Sequence, residues 1–387
     1  AQDVFAPFDV PALANSAMDG YAVVTSDLSG ASDDTPVTLN IVGQVQAGQL
    51  PSVAVSPGNA VRIMTGAPIP PGADAVVPFE DTDEIQRKAS GASLGQVAFM
   101  QEVPSGTNLR PAGEDLRVGD IVLHRGTILR SAEIGVLASV GRDRASVLRR
   151  PIVAVLSTGD ELLLPGQTPN SGKIYDANSF GVASAVQRYG GIPKLLGIAR
   201  DNFQDTSHKL EEGLSADLLI TSAGVSKGDY DFVKDVLMQR GEIAFWSVRM
   251  RPARPLAFGT LHAPDGRQVP HIGLPGNPVS ALVAFEQFCR PAILKMLGRT
   301  NFTKPTIQAV LRDAIHNFDS RRVYARAVVT KETGIYYASL TGPQGSNILT
   351  SMSKANGLAI CPDDVGEMPV GSTVEVQMLD WPEGIAL

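Results

Sequence analysis

Between residues 151 and 298, apolar runs of strand length alternate with segments whose apolar residues fall at helical spacing. The strand candidates are 152–157, 193–199, 217–222, 243–248 and 269–274. Helical stretches lie between the first three: 176–189, opened by Asp176 and stopped by Gly190, and 203–214, which follows an Asp-Asn turn. A longer helix starts near 278 and is interrupted at Pro291. Strands alternating with helices predict a mostly parallel sheet covered on both faces. On either side the pattern changes to short apolar runs between glycine and proline turns. They fall at 37–45, 59–64, 73–79 and 95–103, and again at 307–311, 322–331, 335–342, 356–362 and 372–379. The first set predicts a small β domain over 23–110, and the second a small barrel or sandwich over 299–387. Residues 1–22 are punctuated by proline and predict an extended segment lying across other structure. Residues 111–150 predict strands around a Gly-centred turn, then a short helix ended by Gly141. The expected fold class is therefore α/β plus β. A central α/β sheet domain carries an inserted β domain and a C-terminal β-barrel-like domain.

Composition narrows the class. A chain of 387 residues favours several domains, and 43% hydrophobic with 19% charged residues excludes a disordered chain. The net charge of −7 and pI near 5.3 argue against a general nucleic-acid binder. Two cysteines, Cys289 and Cys361, make no disulfide framework and fit a reducing cytosol. The five histidines lack metal-ligand spacing, so zinc is not expected. No apolar stretch approaches the roughly 18–20 residues of a membrane span, and no signal peptide is visible. The chain opens at Ala1 without Met, so its natural amino terminus is expected to be missing.

Candidate chemistry gathers at the ends of the α/β strands. Residues 216–235 read as strand, loop and helix. Ser226 can hydrogen-bond there, Lys227 can meet an anion, and Asp229 and Asp231 can hold a hard cation. An ordinary turn before a helix capped by Asp accounts for the same residues. Asp160 and Glu161 follow the first strand and fall at the same edge. Carboxylates so placed repel unless a cation joins them, and Mg2+ suits that need. A solvated acidic turn is the alternative. Residues 273–285 end a strand and open a helix. Pro278 suits the first helical turn, Gly276 admits close backbone approach, and the amides of Asn277 to Ser280 face an anion. A tight β-α turn also fits. Arg249, Arg251 and Arg254 lie in a proline-bracketed segment, and guanidinium forks match tetrahedral oxyanions; a solvated basic face is the rival. No P-loop, GxGxxG or obvious covalent nucleophile is present.

Seven segments in order resemble the MoeA family of molybdopterin molybdenumtransferases, which includes the carboxyl-terminal domain of gephyrin. They are FDVPALANSAMDGYAV (8–23), VRIMTGAPIPPGADAVVPFE (61–80), GTNLRPAGEDLRVGD (106–120), VAVLSTGDEL (153–162), GKIYDANSF (172–180), DLLITSAGVSKGDYDFVK (217–234) and GLPGNPVSA (273–281). The resemblance implies a homodimer of four-part subunits. A split linker and dimerisation domain would comprise 1–22 and 111–150, with the family's N-terminal helices absent. The inserted β domain would be 23–110, the molybdopterin-binding-like α/β domain 151–298 and the C-terminal β domain 299–387. The implied reaction inserts molybdate into adenylylated molybdopterin and releases AMP, with Mg2+ at Asp160, Glu161 and Asp231. Matching positions imply catalytic roles for Asp19, Thr65, Glu114, Asp115, Glu161, Asp201 and Asp231. Substrate binding falls to Ser226, Lys227, Arg251, Arg254, Gly276, Asn277 and Ser280, and loop shape to Pro275 and Pro278. Implied partners are molybdopterin adenylyltransferase and molybdoenzyme apoproteins or their chaperones, in the cytoplasm.

Three departures stand out. The family commonly has Gly-Gly before Val-Ser, where this chain has Ala223-Gly224. It commonly has glycine between the two prolines of the basic motif, where this chain has Ala253. Ser247 stands where a family member carries Lys. Two rival functions remain open on sequence: the related ATP-using molybdopterin adenylyltransferase, and a non-catalytic cofactor-binding or scaffold paralogue.

Overall fold

The computed structural model describes residues 1–169, 171–223, 236–239 and 241–380. The chain divides into two compact units, Ala1–Val147 and Leu148–Leu387.

The first unit is built on a five-stranded sheet. Its order is Ala75–Pro78, Gly20–Val23, Asn59–Ile63, Val37–Val45 and Gln96–Phe99. Side chains alternate between two apolar clusters. Tyr21, Val23, Val77 and Phe99 face one side; Ala22, Val61, Ile63 and Val76 face the other. The period of two thus buries both faces. The proline-punctuated start is extended as expected. Val4–Phe5 pairs with Ile121–Leu123, and Asn15–Ser16 with Leu109–Arg110. The sheet itself begins at Gly20, inside the segment expected to lie outside it. A helix, Glu84–Ser90, falls where only strands were expected. Its ion pairs Arg87–Asp83 and Lys88–Glu84 are four residues apart, and Gly91 at φ 70° ends it. The second helix, Ser131–Ser139, stops before Gly141 at φ 72°, close to the sequence expectation.

The second unit holds a six-stranded sheet. Its order is Ile192–Ala199, Ile152–Thr158, Leu218–Ser222, Gln268–Leu274, Pro255–His262 and Gly241–Ser247. The first four strands are parallel and the last two antiparallel. The run expected at 243–248 is therefore an antiparallel edge strand, and 255–262, which is absent from the strand candidates and starts within the proline-bracketed basic segment, is a strand. Connection length explains both. Parallel pairing needs a crossover of about a dozen residues or more, and the links at 248–254 and 263–267 are too short. Helices Asn178–Arg188 and Phe203–Gly213 lie where expected. Asn202 caps the second by accepting from the Asp205 amide at 2.9 Å. The helix from Pro278 runs to Ala284, makes a π-helical turn over Phe285–Cys289, and resumes over Arg290–Met296 with Pro291 in its first turn. The expected interruption is this turn. Val153, Val155, Leu218 and Ile220 face one core cluster, and Ala154, Leu156 and Leu219 the other. The sheet is thus covered on both faces.

The C-terminal strands close into a barrel. Arg322–Glu332 pairs with Ile335–Leu340, which pairs with Thr306–Leu311, then Thr373–Met378, Gly357–Cys361 and back to the first. Its core mixes alanines, Ala309, Ala325, Ala327, Ala338 and Ala359, with larger aliphatics such as Leu311, Val323, Val329, Val374 and Val376.

Two features of the second unit carry measurable consequences. Ala223 and Ala253 both have φ of 76°, a left-handed conformation that penalises a Cβ. Ala253→Gly should stabilise the protein by about 1 kcal/mol in denaturant melts. His271 is buried mid-sheet, with Nε2 3.0 Å from Thr221 Oγ1 and Nδ1 without a hydrogen-bond partner among the described residues. Burial pushes its pKa down to about 3 from an ordinary 6.5. Between these values the unfolded chain binds a proton that the folded protein refuses, so stability falls as pH drops below 6.5. His271→Gln should remove roughly 2 kcal/mol of the stability difference between pH 7 and pH 5.

Candidate active site

Four parallel strands end in one row. Ser157 stands opposite Ser222, Ser222 opposite Leu274, and Thr158 opposite Ala199. The loops beginning at Gly159, Arg200, Ala223 and Pro275 therefore leave the same edge, where open α/β sheets hold ligands.

Two side chains at the start of helix Asn178–Arg188 tie these loops together. Buried Asp176 accepts from Ser157 Oγ at 2.9 Å and from the Ser179 amide at 3.0 Å. The Asn178 amide nitrogen donates to Ser222 Oγ and to the Gly276 carbonyl, both at 2.7 Å. Sequence reasoning took Asp176 only as a helix start and did not single out Asn178. The signal was their place in GKIYDANSF, just after a short strand. Gly276 faces Ala223: a Cβ there would stand 3.5 Å from the Ala223 methyl.

The acidic loop is partly internally bonded. Asp160 Oδ1 accepts from the Asp201 amide at 3.4 Å, and Asp201 Oδ2 from the Asp160 amide at 3.2 Å. Glu161 is exposed, and its carboxylate covers Gly159, whose φ of 143° leaves no place for a side chain. Lys173 Nζ donates to the Asp160 carbonyl at 2.5 Å. Among the described residues no group of three or more His, Cys, Asp or Glu is arranged to hold a metal. Ser226, Lys227, Asp229 and Asp231 lie outside the described residues. Mg2+ nevertheless takes one or two carboxylates and completes its shell with waters and substrate phosphates. Two carboxylates of the type it takes, Asp160 and Glu161, are exposed at this edge.

The basic segment is stitched to the barrel. Met250–Arg251 pairs with Arg322–Val323, and the Arg251–Pro252 peptide is cis. Arg251 donates to the His316 carbonyl and lies 3.7 Å from Asp319. Arg249 lies 3.3 Å from Asp363. Arg254 is exposed and donates to Ser247 Oγ at 3.0 Å.

One further cation was not singled out from sequence. Arg326 is 1% exposed. Its Nε donates to Ser351 Oγ and its Nη2 to the Gly345 carbonyl, each at 3.0 Å. These partners carry no charge. Burial pushes its pKa down to about 10, so the guanidinium stays charged near neutrality. The next residue of this loop, Ser346, accepts the Val279 amide at 3.1 Å, in the first turn after Pro278. That amide is one of those the sequence offered to an anion. Asn277 is exposed, while Pro275 and Ser280 are buried. The clue to Arg326 was a lone charge inside a strand that is apolar on both faces.

In the first unit, Asp19 and Thr65 meet. Asp19 Oδ1 accepts from the Thr65 amide and hydroxyl, both at 2.7 Å, and the amide bond, then the hydroxyl, hold its carboxyl below the usual range. Arg62 Nη1 donates to the neighbouring Gly20 carbonyl at 3.0 Å, and Arg62 pairs with buried Glu84. Glu114 and Asp115 are exposed in a turn after Gly113. The turn is fixed by the Asp115 amide on the Val10 carbonyl at 2.9 Å.

Comparison with known proteins agrees with this architecture. Residues 1–141 match the MoeA N-terminal region (domain I and II), 154–295 a probable molybdopterin binding domain, and 308–379 the MoeA C-terminal region (domain IV). Molybdopterin molybdenumtransferase 2 of Mycobacterium tuberculosis is 38% identical over 97% of this chain and 90% of its own length. The Haemophilus influenzae molybdopterin molybdenumtransferase is 36% identical over the same shares. The crystal structure of the molybdopterin biosynthesis MoeA protein from Pyrococcus horikoshii superposes with a TM-score of 0.81 at 30% identity, covering 98% of this chain and 91% of that one. With near-complete coverage on both sides and the same succession of domains, the chain belongs to the MoeA family of molybdopterin molybdenumtransferases.

Proposed function

We propose that this protein inserts molybdenum, supplied as molybdate, into adenylylated molybdopterin and releases AMP, with Mg2+ as the assisting ion. The observation that carries this reading is Arg326. A buried guanidinium bonded only to neutral groups, on a barrel strand beside a loop anchored near the strand ends, is suited to a small dianion. Molybdate is a tetrahedral dianion. Arg251 and Arg254 supply further cationic forks beside the same edge. The pterin's dithiolene sulfurs hold the metal, so the protein needs no thiolate ligand; both cysteines are buried.

Asp160 and Glu161, with Asp231, would hold Mg2+, which when bound neutralises charge on the pyrophosphate link. Asp201 fixes Asp160 through the paired amide bonds. Ser226, Lys227, Gly276, Asn277 and Ser280 line the substrate path in this reading, with Pro275 and Pro278 shaping its turn. The Asn178 bridge keeps the loops at Ser222 and Gly276 from separating. The methyls of Ala223 and Ala253 occupy positions that glycine leaves open in relatives, and they favour slower turnover over loss of charge complementarity.

Asp19, Thr65, Glu114 and Asp115 enter through a homodimer, in which the amino-terminal part of one copy serves the α/β domain of the other. The Asp19–Thr65 pair holds an ionised carboxylate in fixed orientation, which suits proton transfer or metal contact. We assign 1–22 with 111–150 to the dimerisation domain, 23–110 to the inserted β domain with the strand Gly20–Val23, 151–298 to the α/β domain and 299–387 to the barrel. Molybdopterin adenylyltransferase would supply the substrate, and molybdoenzyme apoproteins or their chaperones would take the product. Among the described residues no helix is long and apolar enough to cross a membrane, and we place the reaction in the cytoplasm.

Purified protein given adenylylated molybdopterin, molybdate and Mg2+ should release AMP without consuming ATP. Consumption of ATP would favour the adenylyltransferase, and no turnover under any condition the scaffold. Arg326→Gln should lower kcat/KM for molybdate about a hundredfold while circular dichroism stays unchanged. A second measurement tests the shared site. Asp19→Asn and Arg254→Ala proteins, each inactive alone, should regain roughly a quarter of wild-type activity when unfolded and refolded together. A mixture as inactive as its components would rule out a site built from two copies.

A further inference from the structure

Helix Asn178–Arg188 starts at the site just described and ends about 15 Å along its axis at a different crevice. There the α/β core meets the barrel strand Thr373–Met378. A cavity of about 330 Å³ is lined by Arg188, Tyr189, Arg290, Lys304, Met378 and Asp380 among others. Three cations converge on one ring. Arg290 Cζ lies 5.4 Å, Lys304 Nζ 5.6 Å and Arg188 Cζ 5.8 Å from the Tyr189 centroid.

Negative charge is scarcer. Glu286 is engaged by Lys304 and by the Tyr189 hydroxyl, the latter at 2.8 Å. Asp380 stands 3.2 Å from Arg188 on the half-exposed rim. Arg290 is 8% exposed. Its Nη1 and Nη2 donate to the carbonyls of Phe302, at 2.8 Å, and Thr303, at 3.4 Å. Its Nε is buried and has no hydrogen-bond partner among the described residues. Burying a guanidinium without a matched charge is unfavourable. Lys304 feels the same excess: burial, then the nearby Arg290 and Arg188, act to lower its pKa against the pull of Glu286. This local surplus of positive charge sits in a chain whose net charge is −7.

We propose that this crevice binds a small tetrahedral oxyanion, either free phosphate or a phosphate monoester, through the cationic side chains of Arg290, Lys304 and Arg188. An oxyanion there would meet the Arg and Lys cations lining the crevice and supply the negative charge that Glu286 and Asp380 leave short. The site is separate from the insertion chemistry, since none of its residues lies at the strand ends. Because Arg290 also holds the carbonyls of Phe302 and Thr303, occupancy would stiffen the segment joining the α/β domain to the barrel.

The test is isothermal titration of the full chain carrying Arg251→Ala, Arg254→Ala and Arg326→Gln, which weakens oxyanion binding at the strand ends. Inorganic phosphate and glycerol 3-phosphate are the two probes. Saturable binding of at least one is expected, and tighter binding of glycerol 3-phosphate would identify the monoester. Adding Arg188→Gln, on the rim where folding is not at stake, should weaken binding about tenfold. Arg290→Gln should abolish it if that variant folds. No saturable binding of either probe, or an affinity unchanged by Arg188→Gln, would overturn the proposal. Neither result depends on whether AMP is released from adenylylated molybdopterin, so the two readings fail separately.

Discussion

The α/β domain depends on the alignment of four parallel strand ends and on the side chains that lock the loops leaving them. Parallel register alone brings Ser157, Ser222 and Leu274 into one row. It does not fix the loops that follow, whose polar backbone groups have no ladder partners. Asp176 and Asn178 fix two of them from one helix start, through Ser157, Ser222 and the Gly276 carbonyl. Both are short side chains with little rotamer entropy to lose. They cross-link three chain segments at little conformational cost. A site made of loops thereby gains the rigidity of the sheet beneath it.

The barrel contributes the other half of this rigidity. Tyr324, Leu358 and Ile360 of its wall pack into the same apolar cluster as Val182, Phe285 and Ile293 of the α/β domain. Arg326 lies two residues beyond Tyr324, on the same side of the strand by the period of two. Its burial therefore follows from the packing of barrel on sheet and needs no special loop. The Ser346 carbonyl on the Val279 amide holds the adjoining loop to the helix from Pro278. A cation so enclosed is oriented in advance and cannot relax toward water.

Much of the fold was legible because burial on two faces leaves a strong pattern. The alternating segments from 152 to 222, the two intervening helices and the C-terminal strands all fall where periodicity puts them. The antiparallel strand Pro255–His262 was hidden by prolines and arginines at its start, which mark a loop locally. Its pairing is decided by the short turn to Gln268, a tertiary consequence. Helix Glu84–Ser90 has almost no apolar face, and its stability comes from ion pairs and a glycine stop. A period of apolar residues cannot report it. At the site, charged residues clustered near strand ends were visible. Arg326 and Asn178 were not, because their importance comes from which groups surround them and not from their neighbours in sequence.

Ala223 and Ala253 show where sequence and backbone disagree. Each sits at φ 76°, where glycine is at ease and alanine is strained. They belong to two loops of one edge, one after strand Leu218–Ser222 and the other between Arg251 and Arg254. Surrounding contacts hold both in place: the Ala223 amide donates to the Leu274 carbonyl at 3.1 Å, and the Val248 amide to the Arg254 carbonyl at 2.8 Å. The left-handed conformation is kept although both residues are alanine, which argues that the loop geometry itself is what the fold maintains. A residue free to choose would have relaxed to negative φ and moved the loop. That neither has done so means the positions of the arginines and of the Gly276 turn are set by the surrounding sheet and barrel, and the local sequence conforms to them.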